Sequence, residues 1–128
     1  MIVDSSVLVS ILLQEVGYEA LVQKLKEADP VLVATPTAVE SAIVVSSRLR
    51  CDARPLLAGL LYRMDAELVD FNQEHYDAAV SAYLRFGKGN HAAGLNFGDC
   101  MCYALAEVSG LPLLYTGTDF SRTDIQAA

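Results

Sequence analysis

The sequence predicts a three-layer α/β/α domain on a parallel sheet of four to five strands, and three observations predict it. Short apolar runs alternate with longer segments of helical periodicity, and strand–helix–strand order implies parallel pairing with right-handed crossovers. The apolar runs are continuous rather than alternating, the pattern of strands covered on both faces. A chain of 128 residues that is 53% hydrophobic and 20% charged carries enough apolar material for a substantial core and excludes intrinsic disorder. Residues 1–128 are expected to form one domain.

Each element has a local reason. Ile2-Val3 reads as a short strand, and Val7, Leu8, Ile11 and Leu12 fall at helical spacing directly after it. Gly17 separates this helix from an amphipathic one at Glu19 to Glu27, with Leu21, Val22 and Leu25 on one face, ended by Asp29-Pro30. Val31 to Ala34 is the second strand. Thr35-Pro36 opens the next helix, with Thr35 as N-cap and Pro36 at the first helical position. Val39, Ile43 and Val44 are expected on its inner face.

Arg48 to Arg54 reads as a polar connection, Leu56 to Met64 as a helix and Glu67 to Val69 as the third strand. Gln73 to Phe86 is helical through Ala78, Ala79, Ala82 and Phe86, and Gly87-Lys88-Gly89-Asn90 breaks it. A helix begins at Asn96 and ends at Gly110, the glycine expected just past a helix terminus. Pro112 to Tyr115 is the fourth strand, followed by a polar turn at Thr116-Gly117-Thr118.

Several classes are excluded or disfavoured. No apolar run approaches the roughly 18–20 residues of a membrane span, and Asp4 interrupts the apolar start where a leader would continue. A cytoplasmic protein without a membrane partner is expected. Cys51, Cys100 and Cys102 are odd in number and lack framework spacing, so they read as reduced, mostly core thiols. Cys100-x-Cys102 has no second Cys or His pair to complete a zinc site. Sixteen acids against nine Lys and Arg leave a net charge of −7, and without a basic tail charge alone does not indicate a nucleic-acid partner. His75 is expected on a helix surface, and neither it nor His91 lies in a recognisable motif.

The carboxylates carry the chemistry. Asp4 follows the first strand and Asp119 the last, so both belong at the carboxyl edge of the sheet, where open parallel sheets bind ligands. Glu40 and Asp99 lie in the first turns of helices whose N-termini should point to that edge. Each acid also has an ordinary reading. Asp4 can cap a helix, Asp99 three residues after Asn96 mimics a capping box, and Asp119 fits an Asx turn. Glu40 sits among Val39, Ile43 and Val44, which implies a partnered carboxylate. Clustered carboxylates repel one another, and a hard cation with oxygen ligands, Mg²⁺ or Mn²⁺, resolves that repulsion.

Met1-Ile2-Val3-Asp4-Ser5-Ser6-Val7-Leu8-Val9, Thr35-Pro36-Thr37-Ala38-Val39-Glu40 and Arg85-Phe86-Gly87-Lys88-Gly89 form an ordered series of motifs with Ala93-Gly94-Leu95-Asn96-Phe97-Gly98-Asp99-Cys100. Tyr103-Ala104-Leu105-Ala106 and Pro112-Leu113-Leu114-Tyr115-Thr116-Gly117 follow, with Asp119-Phe120 and Thr123-Asp124-Ile125 behind them. In this series the chain resembles PIN-domain ribonucleases, in particular the VapC-type toxins of bacterial VapBC toxin–antitoxin pairs. The resemblance spans essentially the whole chain and implies a Mg²⁺-dependent endoribonuclease, with Mn²⁺ as a substitute, acting on tRNA or ribosomal RNA.

By the same resemblance Asp4, Glu40, Asp99 and Asp119 are the catalytic acids, with Asp4 and Asp99 as direct metal ligands and Asp124 as an alternative fourth acid. Ser6 and Asn96 support them. The family's partners are a cognate VapB-type antitoxin and a second copy of the chain. Two departures stand out. Ser5 replaces the family's usual Thr, and Thr116 and Thr118 stand where a Lys and an acid are common. Arg85, Lys88 and Arg122 flank the site in sequence and are the RNA-binding candidates. A PIN domain kept only as an RNA- or protein-binding module is the alternative reading, and the four intact acids count against it.

Overall fold

The computed structural model describes residues Met1–Ala128. Strands β1 (Ile2–Val3), β2 (Val31–Ala34), β3 (Ala66–Val69) and β4 (Leu113–Leu114) form one sheet in the order β3-β2-β1-β4. Every pairing is parallel, with Ile2 opposite both Leu32 and Leu113. The chain steps outward from β1 through β2 to β3 and then returns to the other side of β1. That reversal makes the β1–β4 boundary the topological switch point, where a crevice opens beyond the strand ends. Outside β4 the tail adds a single bridge, Leu113 to Ala127, with Leu113 N–H donating to Gln126 (2.9 Å) and Ala128 N–H donating to Leu113 (3.0 Å).

Helices α1 (Ser5–Leu12), α2 (Tyr18–Lys26), α3 (Thr35–Leu49), α4 (Arg54–Arg63), α5 (Gln73–Phe86) and α6 (Phe97–Ser109) cover the sheet. The period-two alternation of strand side chains divides them into two layers. Ile2, Ala34 and Leu113 point into a core with α5 and α6, while Val3, Val31, Val33 and Leu114 point into a second core with α1, α2 and α4. Even two-residue strands thus contribute to both cores, which is why their sequences are apolar without a break. No helix is long and apolar enough to cross a membrane.

Four local expectations change in the structure. β3 is not covered on both faces: Glu67 and Leu68 are exposed, because β3 is the outermost strand and pairs only with β2. The inner face of α3 is Thr37, Ala38, Ser41 and Val45, whereas Val39 and Ile43 are 58% and 63% exposed. Here α3 packs against α1, α4 and α6, and small side chains let its backbone approach them, so the larger ones turn outward. Its cap is Ala34 rather than Thr35, and it runs on to Leu49, while α4 starts at Arg54 behind Asp52, whose Oδ1 accepts the Arg54 N–H (3.0 Å). Cys51 is exposed; Cys100 and Cys102 are buried as expected.

His75 lies in the interior, 4% exposed, rather than on the surface. It occupies the third position of a capping box at the start of α5. Its N–H donates to the Asn72 side chain and its Nδ1 accepts from the Asn72 N–H, each at 3.2 Å. The ring also packs 5.3 Å from Phe71. Asn72→Ala should lower folding stability by about 1 kcal/mol while leaving the distant carboxylates undisturbed. A denaturant midpoint equal to that of the parent chain would show that the box contributes nothing to α5.

Candidate active site

The site begins where β1 ends. Asp4 is the N-cap of α1 and is only 4% exposed. Its Oδ2 accepts from the Ser6 backbone N–H (3.1 Å) and the Ser6 hydroxyl (2.5 Å), and its Oδ1 accepts from the Cys102 thiol of α6 (3.0 Å). Thr37 of α3 places its Oγ1 3.1 Å from the same sulfur. Capping, a serine and a buried thiol therefore fix both carboxylate oxygens. The carboxylate beside it pushes the Cys102 thiol further up, though burial is the larger cause. The sequence reading of Cys102 as a core thiol did not include this contact; nothing in the spacing of Thr37 and Cys102 signals it.

The next two residues extend the connection. The Ser5 hydroxyl donates to Glu40 Oε1, and Ser6 Oγ accepts the Thr116 N–H (3.1 Å) at the start of the turn that carries Asp119. Glu40 is partnered as expected, although its apolar neighbours Val39 and Ile43 are exposed and its partner comes from α1. Its carboxylate lies against Gly98, where an added Cβ would collide with it. Glycine at this position is what allows α3 and the first turn of α6 to meet. The sequence offered a clue in Asn96-Phe97-Gly98-Asp99, a glycine at a position where a helix gains nothing from one.

Asp99 sits in the first turn of α6 in a reciprocal cap: Asp99 N–H donates to Asn96 Oδ1 and Asn96 N–H to Asp99 Oδ2, both at 2.9 Å. The capping role and the place in the acid cluster coexist. Burial pushes the Asp99 carboxyl up from 3.8 to about 6, with further upward pressure from Asp4, Asp119 and Glu40 against the lowering effect of the Asn96 N–H. No basic side chain appears among these influences. Asp119 is exposed, at the mouth of the 3-10 turn Phe120–Arg122, and its side chain makes no cap bond.

Asp124 stands apart. Its carboxylate is held below the usual range by the Tyr103 hydroxyl and by Arg85, and it does not act on Asp99. The four acids brought together are Asp4, Glu40, Asp99 and Asp119. No three of the His, Cys, Asp and Glu side chains stand in a ready-made coordinating group.

Of the three basic candidates, Lys88 is exposed and its backbone N–H donates to Leu95 (2.9 Å). Arg122 is exposed and reaches the Ala92 carbonyl (3.4 Å). Arg85 is engaged within the protein by Asp124 and Tyr103. His91 is exposed, accepts from the Ala93 N–H (3.0 Å) and meets the Phe86 ring edge-on at 5.2 Å.

The sequence matches the PIN domain family over residues 1–126. The chain belongs to that family. Among curated relatives, a ribonuclease VapC of Mycolicibacterium smegmatis is 44% identical over 128 residues, covering 99% of this chain and 98% of that protein. Ribonuclease VapC30 of Mycobacterium tuberculosis is 41% identical over 126 residues, covering 98% and 95%. This PIN domain is thus of the VapC ribonuclease type.

Solved structures share its fold. The sarcin-ricin loop cleaving toxin VapC20 of Mycobacterium tuberculosis superposes with a TM-score of 0.73 at 15% identity, covering 99% of this chain and 97% of that one. A toxin-antitoxin complex from Klebsiella pneumoniae gives 0.70 at 18% identity, covering 96% and 92%.

The Asp99 shift sets a pH dependence for the PIN domain without divalent ions. A carboxyl raised in the folded state is favoured there in its protonated form. Its contribution to stability is therefore fully present below 3.8 and is lost as pH rises through about 6. Asp99→Asn keeps the cap acceptor and removes the charge. Its thermal midpoint should exceed that of the parent chain at neutral pH, and the gap should close toward 3.8. A gap independent of pH would show that the Asp99 charge is not under strain.

Proposed function

We propose that this PIN domain is a metal-dependent endoribonuclease and the toxin of a type II toxin–antitoxin pair, acting in the cytoplasm on tRNA or ribosomal RNA. The observation that carries this reading is that Asp4, Glu40 and Asp119, from separate elements, all press on the Asp99 carboxyl beside the β1–β4 switch point. Kinship with VapC ribonucleases at about the same length supports it.

The donor set fits Mg²⁺, with Mn²⁺ as a substitute: all ligand atoms are hard oxygens, and Mg²⁺ takes one or two carboxylates while keeping several waters. Asp4 and Asp99 are the direct ligands, and the raised Asp99 carboxyl gives proton and metal a common place to compete. When bound, the ion offsets charge on the phosphate and makes water acidic enough to attack near neutral pH. Ser6 and Cys102 hold Asp4 in one orientation, Asn96 holds Asp99, and Ser5 holds Glu40 facing the same crevice. Glu40 and Asp119 would complete the acidic wall and could accept hydrogen bonds from a water brought there by the ion. Ser5 keeps the hydroxyl that a Thr would supply, so the departure at this position preserves the bond to Glu40.

Lys88 and Arg122 are the phosphate contacts, since both side chains are exposed and neither is held by a carboxylate as Arg85 is. A VapB-type antitoxin and a second copy of the chain are the protein partners. The apolar surface supports their docking: a groove of about 520 Å³ lined by Tyr76, Val80, Tyr83, Phe97 and Met101 continues past Pro36 to the exposed Val39 and Ile43.

Purified chain free of antitoxin should cut total cellular RNA into discrete fragments with Mg²⁺ or Mn²⁺, and not with EDTA. Asp4→Asn retains the helix cap and should abolish the fragments. Cleavage that survives chelation or this substitution would overturn the assignment. Lys88→Ala and Arg122→Ala should each weaken RNA binding and flatten its salt dependence by about one unit of log–log slope, as read by filter binding over a salt series.

A further inference from the structure

Arg85, at the last turn of α5, is built into a clasp. Its Nη2 donates to Asp124 Oδ2 (2.5 Å) and its Nη1 to the Tyr103 hydroxyl (3.3 Å), while the Tyr103 hydroxyl donates to Asp124 Oδ1 (2.6 Å). The guanidinium lies over the Phe86 ring at 4.6 Å, with Glu107 3.9 Å from Nη1. Tyr103 is 1% exposed and anchored in the core between the sheet and α6. Both oxygens of Asp124 are thereby tied to two helices. An arginine so engaged offers little to an RNA phosphate, because the phosphate would first have to displace Asp124.

What the clasp holds is the segment that carries Asp119. After β4 the chain has no helix or strand apart from one 3-10 turn and one bridge. The Asp119 side chain makes no cap bond of its own, so its place is set by what fixes the chain on either side. On one side Thr116 N–H donates to Ser6 (3.1 Å). On the other, Phe120 is 2% exposed with its ring 5.1 Å from Tyr115, and its carbonyl accepts the Thr123 hydroxyl (2.7 Å) immediately before Asp124. An exposed ion pair alone is worth little. Here the pair is reinforced by a buried phenol and pins the chain a short way beyond Phe120.

We propose that Arg85, acting with Tyr103 through Asp124, is a positioning residue that holds the Thr116–Phe120 turn so that Asp119 stands beside Asp99. This rests on the reading of the four acids as the active site. It replaces the expectation that Arg85 contacts RNA, and it separates the roles of the two C-terminal acids: Asp119 faces the reaction and Asp124 holds the frame.

The test uses the full chain with Arg85→Ala, Asp124→Asn and Tyr103→Phe. Amide exchange in the metal-free protein should quicken several-fold at Thr116, Ser121 and Thr123, the hydrogen-bonded amides of the turn, with α6 and β1 unchanged. Cleavage should lose about 10- to 100-fold in kcat, the range for residues that support ligands from behind, with KM nearly constant. In an Asp119→Asn background Arg85→Ala should add no further loss. Arg85→Asp combined with Asp124→Arg should restore part of the activity. If Arg85→Ala does not fold, Arg85→Lys, which keeps the charge and loses the fork, takes its place.

Unchanged exchange in the turn would overturn the proposal. So would a rise in KM at constant kcat, or an equal loss in the Asp119→Asn background, either of which would make Arg85 a direct RNA contact. A parent chain that cuts no RNA with either metal would sink the nuclease assignment instead, and the exchange measurement would still decide the clasp.

Discussion

A nearly buried carboxylate, Asp4, stands at the end of a two-residue strand with three other acids near it. Burial and like charge both oppose its ionisation, and much of the surrounding structure answers that opposition. Asp4 is satisfied by the first turn of α1, by Ser6 and by a thiol from α6. These bonds reach three parts of the chain, so fixing one carboxylate also docks α1, α6 and the turn after β4. The penalty that remains falls on Asp99, whose carboxyl is the one pushed up.

Close approach of backbones is the second requirement. Acids on α3 and α6 can meet only if those helices come together at their N-terminal ends. Thr37, Ala38 and Ser41 on one side and Gly98 on the other supply the small side chains that permit it. The same economy explains the outward-facing Val39 and Ile43: an inner face crowded by neighbouring backbone leaves the larger apolar groups outside. That leaves apolar surface beside the acids, continuous with the groove along α5. The meeting of the acids and the exposed apolar groove thus follow from one packing choice.

The alternation of strands and helices, their order and the placement of Asp4, Glu40, Asp99 and Asp119 at one edge were legible because they depend on short-range patterns and on the handedness of crossovers. The edge position of β3 was not, since Glu67 to Val69 was read as a covered strand like the others, and which strand lies outermost is known only from its neighbours. The inner face of α3 was misplaced because hydrophobicity alone cannot reveal how close a neighbouring helix lies. His75 was misplaced because its burial comes from a capping box that a lone histidine in a helix does not announce.

By itself the sequence determined the fold class, the order of its elements and the Asn96 cap, because local propensity, periodicity and motif spacing encode them. Only the tertiary structure decided which atoms touch those acids. Cys102 lies 98 residues from Asp4 in sequence, and Arg85 lies 39 from Asp124. Such contacts carry no periodic signature. They exist because a parallel sheet with crossovers brings distant strand ends to one crevice, and side chains that never neighbour one another along the chain become each other's hydrogen-bond partners there.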